Sequence, residues 1–353
     1  MSHFYPLKVK SLEKVSKDAV AITFDVPLQY VSIFRFKQGQ FITLKLTIQG
    51  ETVIRSYSIC TSPYSEKELK VAVKEVPGGK MSVYINHYLK PGDTIEVMPP
   101  SGKFYTELNS AHQKQYVLWA GGSGITPMMS ITKSILFIEK RSQIILFYAN
   151  RAPDQVMFQQ ELETLAQAHS NFKLVYIYDH PPTNYPPEQT GYLEAHKIRT
   201  LLEKCSAQKA DEHFICGPTP MMQVIENTLK QLNIAPEKIH IEYFTALEKT
   251  ESISDSQDVI QSEVTVILYG IETTFILPSN GVSILDAAIQ HHVDAPFSCK
   301  GGVCSTCRAK ILKGKARMDA NYALTEQEVA EGFILTCQAH PESERLIIDY
   351  DAL

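Results

Sequence analysis

The sequence predicts a multidomain chain: an antiparallel β-barrel, then an α/β domain with a parallel sheet, then a smaller domain built around a cysteine-rich loop. Three observations carry this. Short alternating apolar runs broken by Gly and Pro fill residues 1–108, which is the pattern of a many-stranded antiparallel sheet. Across 112–245, apolar runs alternate with helical patterns, as a two-sided parallel sheet requires. Four of the seven cysteines gather near the C-terminal end. With 353 residues there is room for two or three domains.

In the first region the expected strands are Ala19–Phe24, Gln40–Leu46, Leu69–Val73 and Thr94–Val97, with turns at Pro77-Gly78-Gly79 and Pro91-Gly92. In the second they are Tyr116–Ala120, Ile144–Tyr148, Lys173–Tyr178 and His213–Cys216, separated by helical patterns such as Met157–Ala168 and Pro220–Leu232. Residues 246–262 are polar, acidic and Ser-rich, and are expected to be a flexible linker; a chain of that length spans roughly 20–25 Å. Two further strands, Val264–Leu268 and Thr273–Leu277, open the last region. The expected domains are therefore 1–110, 111–245 and 263–353, with the linker at 246–262.

Charge is uneven. Residues 1–245 carry 26 Lys and Arg against 23 Asp and Glu, while residues 263–353 carry 7 against 12. That pattern excludes a basic-patch nucleic-acid binder. It fits weak electrostatic guidance between a slightly basic body and an acidic tail domain, or simple solubility. The opening MSHFYPLKVKSLEK shows no signal peptide. Gln115 to Thr132 is uncharged, but its Gly121-Gly122-Ser123-Gly124 and Pro127 read as strand, tight turn and helix start rather than as a membrane span. The expected location is cytoplasmic, with no membrane partner. Seven cysteines, an odd number, without a secretory signal argue against a disulfide framework.

Cys299-x4-Cys304-x2-Cys307 lies in FSCKGGVCSTCRA, and Cys337 follows in ILTCQA. This is the plant-type spacing for a 2Fe–2S cluster. One loop must wrap a small inorganic core, and Gly301 and Gly302 allow its backbone amides to approach the sulfides. Zinc is the competing metal, but zinc sites usually pair two cysteine knuckles, and here the fourth cysteine stands alone. A cluster of this kind moves electrons singly, so something must feed it and something must receive from it.

A feeder is visible upstream. Arg55-Ser56-Tyr57-Ser58 is followed by Gly78-Gly79-Lys80-Met81-Ser82 at the start of an expected helix, Met81–Leu89. An Arg neutralises a diphosphate, a Tyr offers a flat aromatic face, a Ser hydroxyl can bond a ring nitrogen, and a Gly-Gly turn at a helix N-terminus presents amides to phosphate. By itself, RxYS would be a surface Arg beside an ordinary strand Tyr; its place in a barrel, ahead of GGKMS, points to a flavin. Next, Ala120-Gly121-Gly122-Ser123-Gly124-Ile125-Thr126-Pro127-Met128-Met129 follows an apolar strand. That strand, Gly-rich turn and helix form the arrangement that cradles a pyrophosphate, though not the GxGxxG fingerprint. Cys216-Gly217-Pro218-Thr219-Pro220-Met221-Met222 ends a later strand at the carboxyl edge of the sheet, where open α/β sheets bind ligands. Cys216 on residue type alone would be a small core residue; in this setting it is expected beside a nicotinamide.

Together these motifs resemble the ferredoxin–NADP reductase superfamily over residues 1–245 and plant-type ferredoxins over 263–353. The resemblance implies FAD in the barrel, NADPH or NADH on the α/β domain, and an α+β β-grasp fold for the last domain, with Cys299, Cys304, Cys307 and Cys337 as cluster ligands. A ferredoxin fused at the C-terminus is the layout of oxygenase reductase components. RSYSIC, YANR, FICGP, CKGGVCSTC, KGKARMDANYALT and ILTCQAHP resemble the reductase subunits of phenylacetyl-CoA ring 1,2-epoxidase complexes; ketosteroid hydroxylase reductases and hybrid-cluster reductases share the layout.

Carried over by position, the resemblance implies that Arg55 holds the flavin diphosphate, Tyr57 stacks on the isoalloxazine and Ser58 bonds near its N5. Gly79, Lys80, Met81 and Ser82 complete the phosphate site. Gly121, Gly122, Ser123, Gly124, Ile125, Thr126 and Pro127 hold the nicotinamide nucleotide, with Thr126 near the flavin, and Cys216, Gly217 and Pro218 belong to the same nucleotide site. Glu242 matches the active-site acid and Phe244 the terminal aromatic that covers the flavin, although here it is Phe rather than Tyr and the chain continues past it. Arg151 is the candidate for the 2′-phosphate of NADPH, while Tyr178-Asp179-His180 places an acid where the plant enzymes have a second Arg. The implied activity is an NAD(P)H-dependent relay through FAD and the cluster to a di-iron oxygenase, with Ser58, Cys216 and Glu242 shaping the hydride-transfer pocket. The alternatives are a reductase for a ketosteroid or ring-hydroxylating oxygenase or a hybrid-cluster protein, or a flavin and iron–sulfur redox sensor without turnover.

Overall fold

A computed structural model describes residues 3–66, 68–244 and 259–352. They fall into two compact units, Phe4–Glu242 and a second built from Tyr243 onward.

The first unit opens with six antiparallel strands: β1 (Tyr5–Ser16), β2 (Ala19–Asp25), β3 (Phe41–Ile48), β4 (Glu51–Ser58), β5 (Leu69–Lys74) and, after helix α1 (Lys80–His87), β6 (Thr94–Ser101). The order is β4-β3-β6-β1-β2-β5. An Ile59–Val71 bridge joins the two outer strands and closes the sheet on itself. Inward residues such as Leu7, Ile22, Ile42, Ile59, Val71 and Ile95 are fully buried. The alternation that sequence shows in these strands is this inward set. RSYS comes after β3 and is itself the end of β4, with Tyr57 opposite Ile42 and Ser58 opposite Phe41. The two-residue repeat therefore sets Arg55 and Tyr57 on one face.

Five parallel strands follow: β7 (Gln115–Gly121), β8 (Gln143–Asn150), β9 (Phe172–Tyr178), β10 (Glu212–Cys216) and β11 (Ile239–Glu242), in the order β11-β10-β7-β8-β9. Helices α2 (Ile125–Ile138), α3 (Gln159–Ala168), α4 (Ala195–Lys204) and α5 (Thr219–Gln231) connect them. The chain leaves β7 toward β8 and later returns to place β10 on β7's other side. The crevice at this reversal is where ligands of open α/β sheets sit. The helix expected from Met157 starts at Gln159 instead. Phe158 adopts a left-handed backbone (φ +58°), and its N–H donates to Val15 O at 2.9 Å. The uncharged stretch from Gln115 spans β7, a short turn and half of α2; no described helix is long and apolar enough to cross a membrane.

In the second unit, β12 (Gln261–Leu268) and β13 (Ile271–Pro278) form a hairpin, followed by α6 (Ile284–Gln290), β14 (Arg308–Lys313), β15 (Ala316–Met318), α7 (Glu326–Ala330), β16 (Phe333–Leu335), β17 (Ala339–Pro341) and β18 (Arg345–Asp349). The sheet order is β13-β12-β18-β14-β16, with β12 and β18 parallel. Buried Ile284, Leu285, Ala287 and Ala288 pack α6 on this mixed sheet. Ser283 caps α6 by accepting from Asp286 N at 3.2 Å, and Thr325 with Glu328 forms a capping box on α7. The expected linker at 246–262 lies mostly outside the described residues, and its last two residues already belong to β12.

Candidate functional site

The glycines of the expected nucleotide turn are dictated by packing. A Cβ at Gly124 would stand 2.1 Å from Cys216 O, one at Gly121 2.6 Å from Pro218 Cδ, and one at Gly217 2.9 Å from Gly121 Cα. The Gly121–Gly124 turn and the Cys216-Gly217-Pro218 turn are thus in direct backbone contact at the carboxyl ends of β7 and β10. Gly122 is different. Its φ is +51° and nothing lies within 4 Å of its Cβ position, so it faces open space. Thr126, buried, closes the turn by donating from Oγ1 to Ser123 O at 3.0 Å. Tyr148, which the sequence did not single out, donates its hydroxyl to Gly122 O at 3.1 Å and accepts from Met157 N at 3.2 Å.

Three residues chosen from sequence converge. Cys216 and Glu242 are register partners at the ends of β10 and β11. Ser58, 3% exposed at the end of β4, donates from Oγ to Glu242 Oε2 at 3.0 Å. Glu242 as a whole keeps some exposure, but its carboxyl end is buried. That burial pushes its pKa up to about 8, against the Ser58 hydrogen bond, which lowers it. Cys216 is fully buried; burial first, and the Glu242 carboxyl second, raise its thiol well above the ordinary value. It is a neutral thiol, not an activated nucleophile.

Around the expected flavin site, Arg55 is exposed and Tyr57 is half-buried, its hydroxyl pushed well up by burial. Gly78 (φ +74°) has nothing within 4 Å of its Cβ position. The amides of Lys80, Met81 and Ser82 precede the first α1 bond, Val83 N to Gly79 O at 3.0 Å, as anion-binding helix starts do. The side chains of these three are committed elsewhere. Lys80 pairs with Glu51, Met81 is in the barrel core, and Ser82 Oγ accepts from Val76 N at 3.1 Å. The open glycine, the orphan amides, an exposed Arg and a half-buried Tyr fit a dinucleotide such as FAD. Arg151, also exposed, follows β8, with its carbonyl accepting from His180 N at 2.8 Å. The Asp179 carboxyl beside it is raised by burial, against the pull of His180 and Arg151. Phe244 is 39% exposed and belongs to the second unit.

The four thiols of the second unit form a chain of contacts, Cys304–Cys299–Cys337–Cys307. Among the described residues, no three His, Cys, Asp or Glu side chains form a single-ion site. Two thiolates per iron around a wider core fit that chain. The loop is wound tightly, with Lys300 and Ser305 both at φ +51° and Gly302 at +75°, where a Cβ would stand 2.9 Å from Ala320 O. That winding turns amides inward: Gly301 N and Val303 N donate to Cys299 Sγ at 3.3 and 3.4 Å, and Cys299 N donates to Cys304 Sγ at 3.5 Å. The Cys304 and Cys337 thiols, then these amides, hold Cys299 far below its ordinary value against the effect of burial. Residues that the sequence did not single out hold the loop. Gln338 Nε2 donates to Lys300 O at 2.8 Å, and Tyr350 OH donates to Thr336 Oγ1 (2.8 Å), which bonds Cys307 O at 2.9 Å. The donor set fits a 2Fe–2S cluster.

Comparison with known proteins agrees with this geometry. The chain matches the oxidoreductase FAD-binding domain over residues 6–105, the oxidoreductase NAD-binding domain over 118–227 and the 2Fe–2S iron–sulfur cluster binding domain over 266–342. It is 38% identical to a subunit of the 1,2-phenylacetyl-CoA epoxidase of Escherichia coli (strain K12), over 100% of this chain and 99% of that one. It is 35% identical to the ferredoxin reductase component of 3-ketosteroid-9-alpha-monooxygenase from Mycobacterium tuberculosis, over 90% of this chain and 86% of that one. Phthalate dioxygenase reductase has the same architecture, with a TM-score of 0.61, 26% identity and 98% coverage of both chains. A self-sufficient cytochrome P450 monooxygenase shares the fold at TM-score 0.70 and 22% identity; 98% of this chain matches 41% of that longer one. The chain belongs to the family of electron-transfer reductases that join FAD-binding, NAD-binding and 2Fe–2S domains as components of multicomponent oxygenases. Its cofactors are FAD and a 2Fe–2S cluster, and its reductant is a nicotinamide nucleotide.

Proposed function

We propose that this chain carries electrons from NADPH to a di-iron oxygenase component acting on phenylacetyl-CoA. The observation that supports this reading most is the 38% identity, over the whole chain, to a component of a phenylacetyl-CoA epoxidase. When bound, the flavin supplies the conversion of a two-electron hydride into single electrons for the cluster. The rest is done by the protein. Arg55 and the first-turn amides of α1 bind the flavin diphosphate, and Tyr57 packs against the ring. The Gly121–Pro127 turn binds the nucleotide diphosphate, with Arg151 at the 2′-phosphate. Ser58, Cys216 and Glu242 line the place where nicotinamide meets flavin. A carboxyl raised to about 8 is mostly protonated at neutral pH, so this pocket holds no fixed negative charge against an incoming hydride. Cys299, Cys304, Cys307 and Cys337 hold the cluster.

The proposed domains are 1–110 for FAD, 111–245 for the nicotinamide nucleotide and 263–353 for the cluster, joined by a linker at 246–262; the protein works in the cytoplasm. The three matched domain ranges and the three larger sheets support this division. The test is reconstitution. The purified chain, NADPH and the oxygenase components from neighbouring genes should convert phenylacetyl-CoA to its ring epoxide. Turnover of a steroid substrate instead, with none of phenylacetyl-CoA, would replace this reading with the ketosteroid one.

A further inference from the structure

Helix α2 starts at the nucleotide turn and is buried along almost its whole length. The side it turns to the barrel is nevertheless polar. Ser130, Lys133 and Ser134 share one helical face, and each reaches the segment that follows the RSYS strand. Ser130 Oγ donates to Thr61 O at 2.6 Å, and Ser134 Oγ bonds Ser62 Oγ at 3.0 Å. Lys133 Nζ donates to both oxygens of Glu66, at 2.9 and 3.2 Å. Ser62 N holds that carboxylate by donating to Oε2 at 2.7 Å. On its other side Lys133 reaches Glu161 Oε1 of α3 at 2.6 Å. The ammonium therefore bridges a carboxylate of the barrel and one of the α/β domain. Its side chain is 9% exposed, against 29% and 42% for Glu66 and Glu161. Burial pulls the Lys133 pKa down, and Glu161 followed by Glu66 more than offset it, so the group stays charged. All of these residues belong to the compact unit Phe4–Glu242.

The seam joins the two halves of the hydride-transfer pocket. Thr61 stands three residues past Ser58, whose hydroxyl meets Glu242, and Ser130 stands four residues past Thr126 of the nucleotide turn. An apolar seam holds two layers together without fixing their register, because burial is non-directional. Hydrogen bonds and ion pairs fix it, because they weaken steeply with angle and distance. We infer that Lys133 and Glu66 are positioning residues for hydride transfer, their bridge setting where the nucleotide turn stands against the flavin half of the pocket. This rests on FAD binding the barrel and the nicotinamide nucleotide binding the Gly121–Pro127 turn. Loss of the bridge misaligns the reacting groups, which slows the reaction without weakening binding.

The test uses full-length protein carrying FAD and cluster, as wild type, Lys133→Met, Glu66→Gln, the double variant of these two, and Glu161→Gln. Met keeps the stem and removes the ammonium. Gln at 66 keeps an oxygen for Ser62 N and removes the charge. Glu161→Gln is the control, because it removes the partner of Lys133 that does not belong to the barrel. Anaerobic flavin reduction at saturating NADPH should slow about tenfold in Lys133→Met and in Glu66→Gln, and no further in the double variant, while the Kd for NADP+ stays within about twofold. The change that saturating NADP+ induces in the flavin absorption spectrum reads the same alignment without turnover, and should shrink in the same variants. Glu161→Gln should match wild type in both rate and spectrum. Wild-type rates and spectra in Lys133→Met and Glu66→Gln, whatever their melting temperatures, make the bridge a stabilising contact only and overturn the proposal. Equal slowing in Glu161→Gln, or a raised Kd with an unchanged limiting rate, overturns it as well. If the wild type itself is not reduced by NADPH or NADH, the reading of the site fails and takes the bridge with it; a wild type that is reduced, with variants that match it, sinks the bridge alone.

Discussion

Three of the four cluster thiols lie within the Cys299–Cys307 loop, whereas Ser58, Cys216 and Glu242 come from three strands of two different sheets. The cluster loop is held by its own backbone: left-handed residues at Lys300 and Ser305 and amides turned onto Cys299 Sγ. The nicotinamide crevice is held by close packing between distant segments, where Gly124 admits the Cys216 carbonyl and Ser58 meets Glu242. A site of the first kind should fail locally when altered. One of the second kind should transmit damage into the fold.

The largest expected effect tests the local site. Cys304→Ser should abolish NADPH-dependent cytochrome c reduction while ferricyanide reduction, which needs only the flavin, persists. Retained cytochrome c reduction would break the relay. Gly124→Ala tests the packed site. A methyl 2.1 Å from the Cys216 carbonyl forces the two turns apart, and overpacking of this kind costs about 1–3 kcal/mol. A lower melting temperature together with weaker nucleotide binding is expected, and an unchanged melting temperature would show that the crevice is looser than the contact implies.

Glu242→Gln sharpens the electrostatic side of the comparison. The folded protein holds the Glu242 proton up to about pH 8, while the unfolded chain releases it near 4.5. Between those values the folded state binds more protons than the unfolded, so this group's contribution to stability falls as pH rises through that window. Relative to wild type, Glu242→Gln should be more stable in urea at pH 9 than at pH 5. Flavin reduction by NADPH should also slow as wild type is taken above pH 8 and stay flat in the variant. A pH inflection that survives the substitution would assign it to another group. The smallest effect is expected at Arg151, exposed at the crevice rim. Arg151→Ala should lower kcat/KM for NADPH about tenfold, one charge-assisted contact, and leave NADH unaffected. Equal changes with both coenzymes would detach Arg151 from the 2′-phosphate.

The two sites also differ in how far sequence revealed them. The cysteine spacing is readable because three ligands share one loop, and a loop around a small core has few workable spacings. The glycine turns are readable because close backbone approach excludes side chains. Ser58, Cys216 and Glu242 could be named from a family resemblance, but their meeting is a tertiary fact: 184 residues separate Ser58 from its carboxyl partner. Tyr148 lies in the YANR stretch that carries the family resemblance, but only the fold shows its hydroxyl bonded to Gly122 O. Lys80, Met81 and Ser82 are expected in the phosphate site through a helix start that offers its amides, and only the fold shows that their side chains serve an ion pair, a core and a turn. Sequence by itself determined what is local: strand periodicity, glycine turns, a ligand loop. Only the tertiary structure decided which buried groups face one another, because burial and pairing depend on segments that the chain brings together from far apart.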